Sequence, residues 1–212
     1  MAQILLDTQS TPAAPAAGQG ILYFDNVTKR LTTKNDAGQI DSVDDVAAAS
    51  TANQTGFAAD TYLAGASLAI PSGLVRAGSM YYCIFDMVKT AAGVAAFTIT
   101  IRFGTAGTIA DTARVTLAFA IGTAAVDTGT FEVWAAFRNV GAAAVIAAMC
   151  RCTHHLAATG LITTGASGTG IILATSAGFD STVPASTIGI SVNGGTSFAG
   201  TNTIVESYLN NV

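Results

Sequence analysis

The sequence predicts an all-β fold, an antiparallel two-sheet sandwich with jelly-roll connectivity, preceded by an extended N-terminal arm and a small β-hairpin. Three observations support this prediction. Short segments of alternating polar and apolar residues recur from about residue 61 onwards, turns that contain glycine separate them, and no segment has the period of an amphipathic helix.

Composition restricts the class of protein. Only 10% of the 212 residues are charged, 50% are apolar and 22 are glycine, whereas globular proteins have about 25% charged residues. Much of the polar surface must therefore come from Thr, Ser and Asn, which suits outer strand faces and a surface that neighbouring subunits cover. The net charge of −4 provides no basic surface for phosphate backbones, so no nucleic-acid partner is expected.

The chain divides into three predicted parts: an extended anchoring arm at residues 1–20, a small β-hairpin module with a linker at residues 21–56, and a β-sandwich at residues 57–212. The first residues lack the basic and long apolar regions of a secretory signal. The apolar run at residues 142–150 is about half as long as a membrane span. We therefore expect a soluble protein made in a cytoplasm, with no membrane partner.

The arm and the hairpin are predicted from prolines and turns. Pro12 and Pro15 lie among small residues and favour an extended arm that pairs with no strand of its own. The segments 20–24 and 29–33 flank a turn-like Asp-Asn pair, a pattern typical of a β-hairpin. A lone hairpin is only marginally stable in water, so this one is expected to lean on a larger structure.

A short helix is predicted after the hairpin. Asp44 and Asp45 precede Val46 and a run of alanines, an arrangement typical of a capped helix start. Together with Asp41 these carboxylates could bind a hard cation, but they lack the dense oxygen spacing of a calcium loop. Helix capping is the preferred interpretation.

Alternation is clearest where Phe97, Ile99, Ile101 and Phe103 share one face of a half-buried strand. Similar segments predict further strands at residues 80–88, 113–120, 130–138, 143–152, 170–175, 187–193 and 202–209. About eight antiparallel strands at this spacing favour two packed sheets.

Two of these segments have apolar side chains on both faces, residues 143–149 throughout and residues 81–87 except at Asp86. In a two-sheet fold one face of such a strand lies in the core, and the other needs a cover. Either a loop or residues 57–70 provide it, or another copy of the chain does, since large exposed apolar patches mark interfaces.

No metal site is predicted. Cys150, Cys152 and His154 recur at every second position, but neighbours on one strand face lie about 6.6 Å apart and project in parallel, whereas zinc needs converging ligands. The number of cysteines is odd, and Cys150 and Cys152 are too far apart along one strand face for an easy disulfide, so all three cysteines are expected to be buried, reduced thiols. A metal site formed by a symmetric ring of His154 or His155 side chains around an oligomer axis is an alternative that the sequence does not decide.

No catalytic residue and no cofactor are predicted, and the chain is not expected to be an enzyme. The sequence around Ser167 departs from a nucleophile elbow because Thr169 replaces the last glycine. The glycine-rich segments 104–107 and 165–170 lack the lysine of a phosphate loop and join strand to strand.

Exposed aromatic residues are candidates for glycan binding or for subunit packing. Trp134 lies on the strand face opposite Phe131, and Tyr62, Tyr81 and Tyr82 are further candidates. Packing against a neighbouring subunit is preferred because Trp and Tyr are enriched at interfaces. The residues predicted for an oligomer interface are Tyr81, Trp134, Val145 and Met149.

Two stretches of the sequence resemble tailed-bacteriophage virion proteins. Residues 11–38, which begin TPAAPAAGQGILYFD, are similar to a short module near the start of many such proteins, in which an extended proline arm precedes a hairpin. Residues 89–114, which include AAFTITIRFGTAG, are similar to β-sandwich domains of phage head-decoration, spike and tail-fibre proteins.

The resemblance implies a structural protein on the surface of a phage particle. The leading hypothesis is a capsid decoration protein or head spike, a homotrimer docked by its arm on the major capsid protein or another virion protein. The alternative is a tail fibre that recognises a host surface glycan. The residues predicted to anchor the arm are Ile4, Leu5, Leu6, Pro12 and Pro15.

Overall fold

The computed structural model describes residues 8–25, 31–36, 38, 40–42, 46–70, 75–91, 93–154, 160–162 and 169–210. Every helix or strand within these residues is a β-strand, which confirms the predicted all-β class. The strands in chain order are β1 (Thr8–Gln9), β2 (Gly20–Asp25), β3 (Leu31–Asn35), β4 (Ile40–Ser42), β5 (Val46–Ala49), β6 (Thr61–Tyr62), β7 (Leu68–Ile70), β8 (Met80–Ala91), β9 (Ala96–Gly104), β10 (Thr112–Ile121), β11 (Asp127–Asn139), β12 (Val145–His154), β13 (Thr169–Thr175), β14 (Ser186–Asn193), β15 (Ala199–Thr201) and β16 (Val205–Asn210).

The first four strands form a small sheet in the order β1-β2-β3-β4. β2 and β3 pair antiparallel, with Tyr23 opposite Thr32, as the predicted hairpin requires. β1 pairs in parallel with β2, so the expectation that the arm pairs with no strand is wrong for Thr8 and Gln9. The free edge of β2 offers unpaired backbone groups, and β1 satisfies them. Residues 10–19, which join β1 to β2, contain no strand or helix.

Two larger sheets form the sandwich. The five-stranded sheet has the order β10-β9-β14-β6, with β7 also paired to β14. The seven-stranded sheet has the order β13-β12-β11-β8-β16-β5, with β15 also paired to β8. All strand pairs within these two sheets are antiparallel. The predicted antiparallel sandwich is confirmed, while its jelly-roll connectivity stays a prediction.

The short helix predicted at Val46 and the following alanines is wrong. These residues form β5, which pairs antiparallel with β16 at the edge of the seven-stranded sheet. Ala48 packs against the core whereas Ala47 and Ala49 are exposed, which is the period of a strand. Pairing with β16 thus outweighs the helix propensity of alanine. The division of the chain into arm, hairpin module and sandwich stays a prediction, with β5 contributed by the segment expected to be a linker.

Apolar side chains from the facing sheets fill one core. Phe131 of β11 stacks on Phe85 of β8, with ring centroids 5.0 Å apart, and on Phe97 of the opposite sheet, 4.8 Å away. All three are essentially unexposed. Each fully buried side chain of this size contributes about 1.5–3 kcal/mol through the hydrophobic effect, so this stack is a main link between the sheets.

Residues 57–70 contribute to the core and to the five-stranded sheet. Phe57, Leu63 and Leu68 are fully buried in the core, and β6 and β7 pair with β14 of the five-stranded sheet. This segment therefore does not cover the outer face of the seven-stranded sheet, which was one of the three covers considered from the sequence.

Charged side chains that are buried or partly buried hold loops in place. Asp111 is 5% exposed, and its carboxylate accepts hydrogen bonds from the backbone N–H groups of Ala106 and Gly107, both at 2.8 Å. Arg102 is paired with Asp60. Each of these charged groups has a partner within the fold, as expected because an unpaired buried charge is costly.

Candidate interaction surface

The outer face of the seven-stranded sheet carries a continuous row of apolar side chains. Inward and outward residues alternate along β8, β11 and β12. One set of outward side chains lies in register across five strands, from β13 to β16. This set, called the apolar row below, consists of Leu173, Met149, Trp134, Tyr82 and Tyr208.

The aromatic part of the apolar row is ordered by ring contacts. Tyr82 meets Trp134 edge to face, with ring centroids 5.4 Å apart, and lies 4.9 Å from Tyr208. The row stays accessible at both ends, since Tyr208 is 40% exposed and Leu173 is 71% exposed. Contacts of this kind fix the orientation of the rings beyond what burial alone does. The sheet therefore presents a preformed, partly exposed aromatic surface.

An adjacent row on the same face carries charge. In register across the same five strands it consists of Ile171, Arg151, Glu132, Ile84 and Glu206, and is called the charged row below. Arg151 is paired with Glu132, and its guanidinium carbon lies 5.8 Å from the Trp134 ring centroid. That distance is within the range of a cation–π contact.

Tyr82 links the two rows. Burial, and next the nearby Glu132 carboxylate, raise the pKa of Tyr82 to about 12. The phenol is therefore protonated at neutral pH, and its hydroxyl lies 3.4 Å from Oε1 of Glu132, to which it donates a long hydrogen bond. Glu132 therefore has two partners on this face, the hydroxyl of Tyr82 and the guanidinium of Arg151.

A shallow depression of about 280 Å³ lies at the β12 end of the apolar row. Its lining is mostly apolar, from Trp134, Met149, Leu173 and small alanines, with Arg138 on its rim. The alanines leave room between the larger side chains.

The predicted interface residues separate into two groups. Trp134, Met149 and Val145 lie half-buried on the outward side of β11 and β12. Tyr81 is corrected: it is fully buried in the core, where its hydroxyl donates to the carbonyl of Ala66 at 2.7 Å. Asp86 shares a strand face with Tyr82 and Ile84, and this one charge is the signal that could have placed Tyr81 on the inward face.

The predicted anchoring residues are only partly within the described structure. Ile4, Leu5 and Leu6 lie outside the described residues. Pro12 and Pro15 are half-buried, and the carbonyl oxygen of Pro12 accepts a hydrogen bond from Nζ of Lys34 at 2.7 Å. This bond ties the proline segment to β3 of the small sheet.

All three cysteines are buried free thiols, as predicted. Burial raises the pKa of Cys83 to about 12 and that of Cys150 and Cys152 well above the usual value, so they are unreactive thiols. No group of three His, Cys, Asp or Glu side chains within the described ranges could hold a metal ion. The possible histidine ring is not described, because His155 and the side chain of His154 lie outside the described residues.

Ile171, Leu173, Glu206 and Tyr208 were not predicted as site residues. The short segment at residues 170–175 is apolar on both strand faces. That pattern is the one signal in the sequence that could have marked Ile171 and Leu173 as surface residues of an interaction site. Nothing local marks Glu206, because its place in the charged row follows from the pairing of β16 with β8.

Comparisons with known proteins assign no family. No protein-family model and no curated protein matches the chain. Among solved structures, "lectin UEA-II complexed with galactose" is 9% identical, with a TM-score of 0.38, over 92% of this chain and 100% of that chain. "Structure of infectious bursal disease virus Gx strain" is 13% identical, with a TM-score of 0.21, over 99% of this chain and 46% of that chain. Scores this low carry no functional argument. The described residues contain no helix long and apolar enough to cross a membrane.

Proposed function

We propose that this chain is a structural protein of a tailed-bacteriophage particle, a capsid decoration protein or head spike. The observation that carries the proposal is the partly exposed apolar row on a chain of which only 10% is charged. A surface so poor in charge is best accommodated where neighbouring subunits cover part of it. The resemblance of residues 11–38 and 89–114 to phage virion proteins supports a tailed-phage particle in particular.

The N-terminal segment is the proposed docking element. Its strands β1–β4 form a sheet of their own, and none is hydrogen bonded to a strand of the sandwich in the described structure. The apolar side chains of Ile4, Leu5 and Leu6 would contact the shell, and Pro12 and Pro15 limit the entropy lost when the segment orders. Many copies on one particle add their small individual gains.

A tail fibre or receptor-binding protein is the second candidate. The observation that favours it is the aromatic surface of Trp134 and Tyr82, which lies beside the polar groups of Glu132 and Arg151. Aromatic rings next to hydrogen-bonding groups suit the apolar face and hydroxyls of a sugar ring. In that case the outer face would meet a host glycan.

Copy number separates the two candidates. Quantitative mass spectrometry of purified particles, with the major capsid protein as internal standard, measures the number of copies per particle. Hundreds of copies support a decoration protein, and a few dozen or fewer support a tail protein. Absence of the chain from purified particles would contradict both.

A matched pair of variants tests the docking element. The triple variant Ile4→Ser, Leu5→Ser, Leu6→Ser should lose particle incorporation while its circular dichroism spectrum remains that of a β protein. The control variant is Val94→Ser, Ile109→Ser, Ile121→Ser, which changes three exposed apolar residues of the sandwich and should incorporate normally. Equal incorporation of both variants would rule out docking through the arm.

A further inference from the structure

We infer that the outer face of the seven-stranded sheet binds a second copy of this chain, face to face, about a two-fold axis. The axis runs parallel to the strands and passes between β11 and β8. The inference does not depend on the particle proposed above, because it concerns only how two copies meet in solution. It differs from the trimer expected from the sequence, and mass distinguishes the two.

The area of the face suits a stable pair. The five strands that carry the two rows contain 7, 10, 13, 12 and 6 residues. At about 3.3 Å per residue and about 4.8 Å between strands, they present about 750 Å². A standard specific interface buries about 800 Å² on each partner. The outer face thus matches the size that a stable dimer needs.

The charges of the face are arranged to complement a copy of themselves. Arg151 lies on β12, one strand outside β11, and Glu206 lies on β16, one strand outside β8. Both are exposed and both belong to the charged row. A two-fold axis between β11 and β8 exchanges these two strand positions, so each Arg151 meets the partner's Glu206. One pair interface contains two such contacts of opposite charge.

The apolar row follows the same exchange. Trp134 on β11 meets the partner's Tyr82, and Met149 on β12 meets the partner's Tyr208. Aromatic and sulfur-containing side chains would therefore bury each other at the centre, with the charged contacts beside them, which is the usual anatomy of an interface. An axis perpendicular to the strands and level with the charged row would instead place Arg151 against the partner's Arg151, so the charges favour the parallel axis.

A charge-exchange experiment on the full chain tests the pair. Glu206→Arg places two arginines at each contact, and Arg151→Glu places two glutamates there. Each variant alone should dimerise at least about tenfold more weakly than the natural chain in low salt. Mixed together, the two variants should form a heterodimer, because both contacts become attractive in it. Sedimentation or light scattering gives the masses, and circular dichroism checks that each variant is folded.

The control is Thr116→Arg, which adds positive charge at an exposed position of β10 on the other sheet and should leave the dimer unchanged. A natural chain that is monomeric or trimeric at micromolar concentration would overturn the inference. So would a dimer that both single variants leave intact, or a mixture of the variants that stays monomeric. A monomer whose Glu206→Arg variant loses particle binding would assign the face to another virion protein instead, while leaving the proposed function standing.

Discussion

The ammonium group of Lys89 lies 2.8 Å from the carbonyl oxygen of Gly160, inside the protein, where Lys89 is 1% exposed. It also donates to the carbonyl oxygens of Gly93 and Thr123, so all three of its N–H donors are used. Burial lowers the pKa of Lys89, and the nearby Asp127 carboxylate opposes this change. One buried cation thus joins three segments that are far apart in the sequence.

Replacing this lysine should destabilise the sandwich. In Lys89→Met, three carbonyl oxygens, one buried and two partly buried, lose the ammonium as a donor, and we expect the free energy of unfolding to fall by about 3 kcal/mol or more. Urea denaturation measures the change. Lys34→Met is the matched control, since Lys34 is half-buried and has one such bond, to Pro12; it should cost less than about 1.5 kcal/mol. Similar losses in both variants would contradict the role of Lys89.

The phenylalanine stack between the sheets makes a second prediction. Phe131→Ala removes a ring that contacts Phe85, Phe97 and Phe119 and leaves a cavity, so the free energy of unfolding should fall by about 4 kcal/mol. Chemical denaturation tests this, with the exposed Thr116→Ala as control. A loss below about 1 kcal/mol would mean that the sheets close over the cavity without penalty.

The strands were predictable where one face is apolar and the other is not. Phe97, Ile99, Ile101 and Phe103 alternate with polar neighbours, and all four point into the core. The alanines after Val46 give no such signal, and their strand forms because β16 supplies a partner more than 150 residues later. Pairings this distant in sequence leave no local trace.

The same distinction explains the site. Trp134 could be placed on the outer face because it alternates with the apolar residues Phe131 and Val133. Tyr81 was misplaced because Tyr82 beside it is equally apolar, and the one local signal for the outward face is the charge of Asp86, which lies on the face of Tyr82. The alignment of Arg151 with Glu132 and Glu206 depends on the register of four strands, which a single sequence does not specify.

Alkaline pH should destabilise the fold through its buried thiols. The pKa of Cys83 is about 12 in the folded chain, against an ordinary value of 9.0, so the thiol of the unfolded chain loses its proton first. Stability is therefore complete below about pH 9 and falls towards pH 12 by about 1.4 kcal/mol per pH unit for each such thiol.

Denaturation midpoints measured between about pH 9 and pH 11 test this sign. In Cys83→Ala the free energy of unfolding should fall less steeply with rising pH than in the natural chain, by the slope that corresponds to about one proton. The thiols of the folded protein should also fail to react with a thiol reagent at neutral pH until denaturant is added. Fast reaction without denaturant would show that the three cysteines are accessible.

Fluorescence of Trp134 should report the face-to-face pair directly. The chain has one tryptophan, half-buried on the outer face, so its emission senses no other part of the protein. Dilution should shift the emission to longer wavelength as the ring becomes hydrated, with a midpoint at the concentration where the mean mass lies midway between that of the dimer and that of the monomer. Glu206→Arg should show this transition at a concentration at least about tenfold higher, and Thr116→Arg should show the natural transition. An emission maximum that stays constant while the mass halves would place Trp134 outside the contact between the two copies.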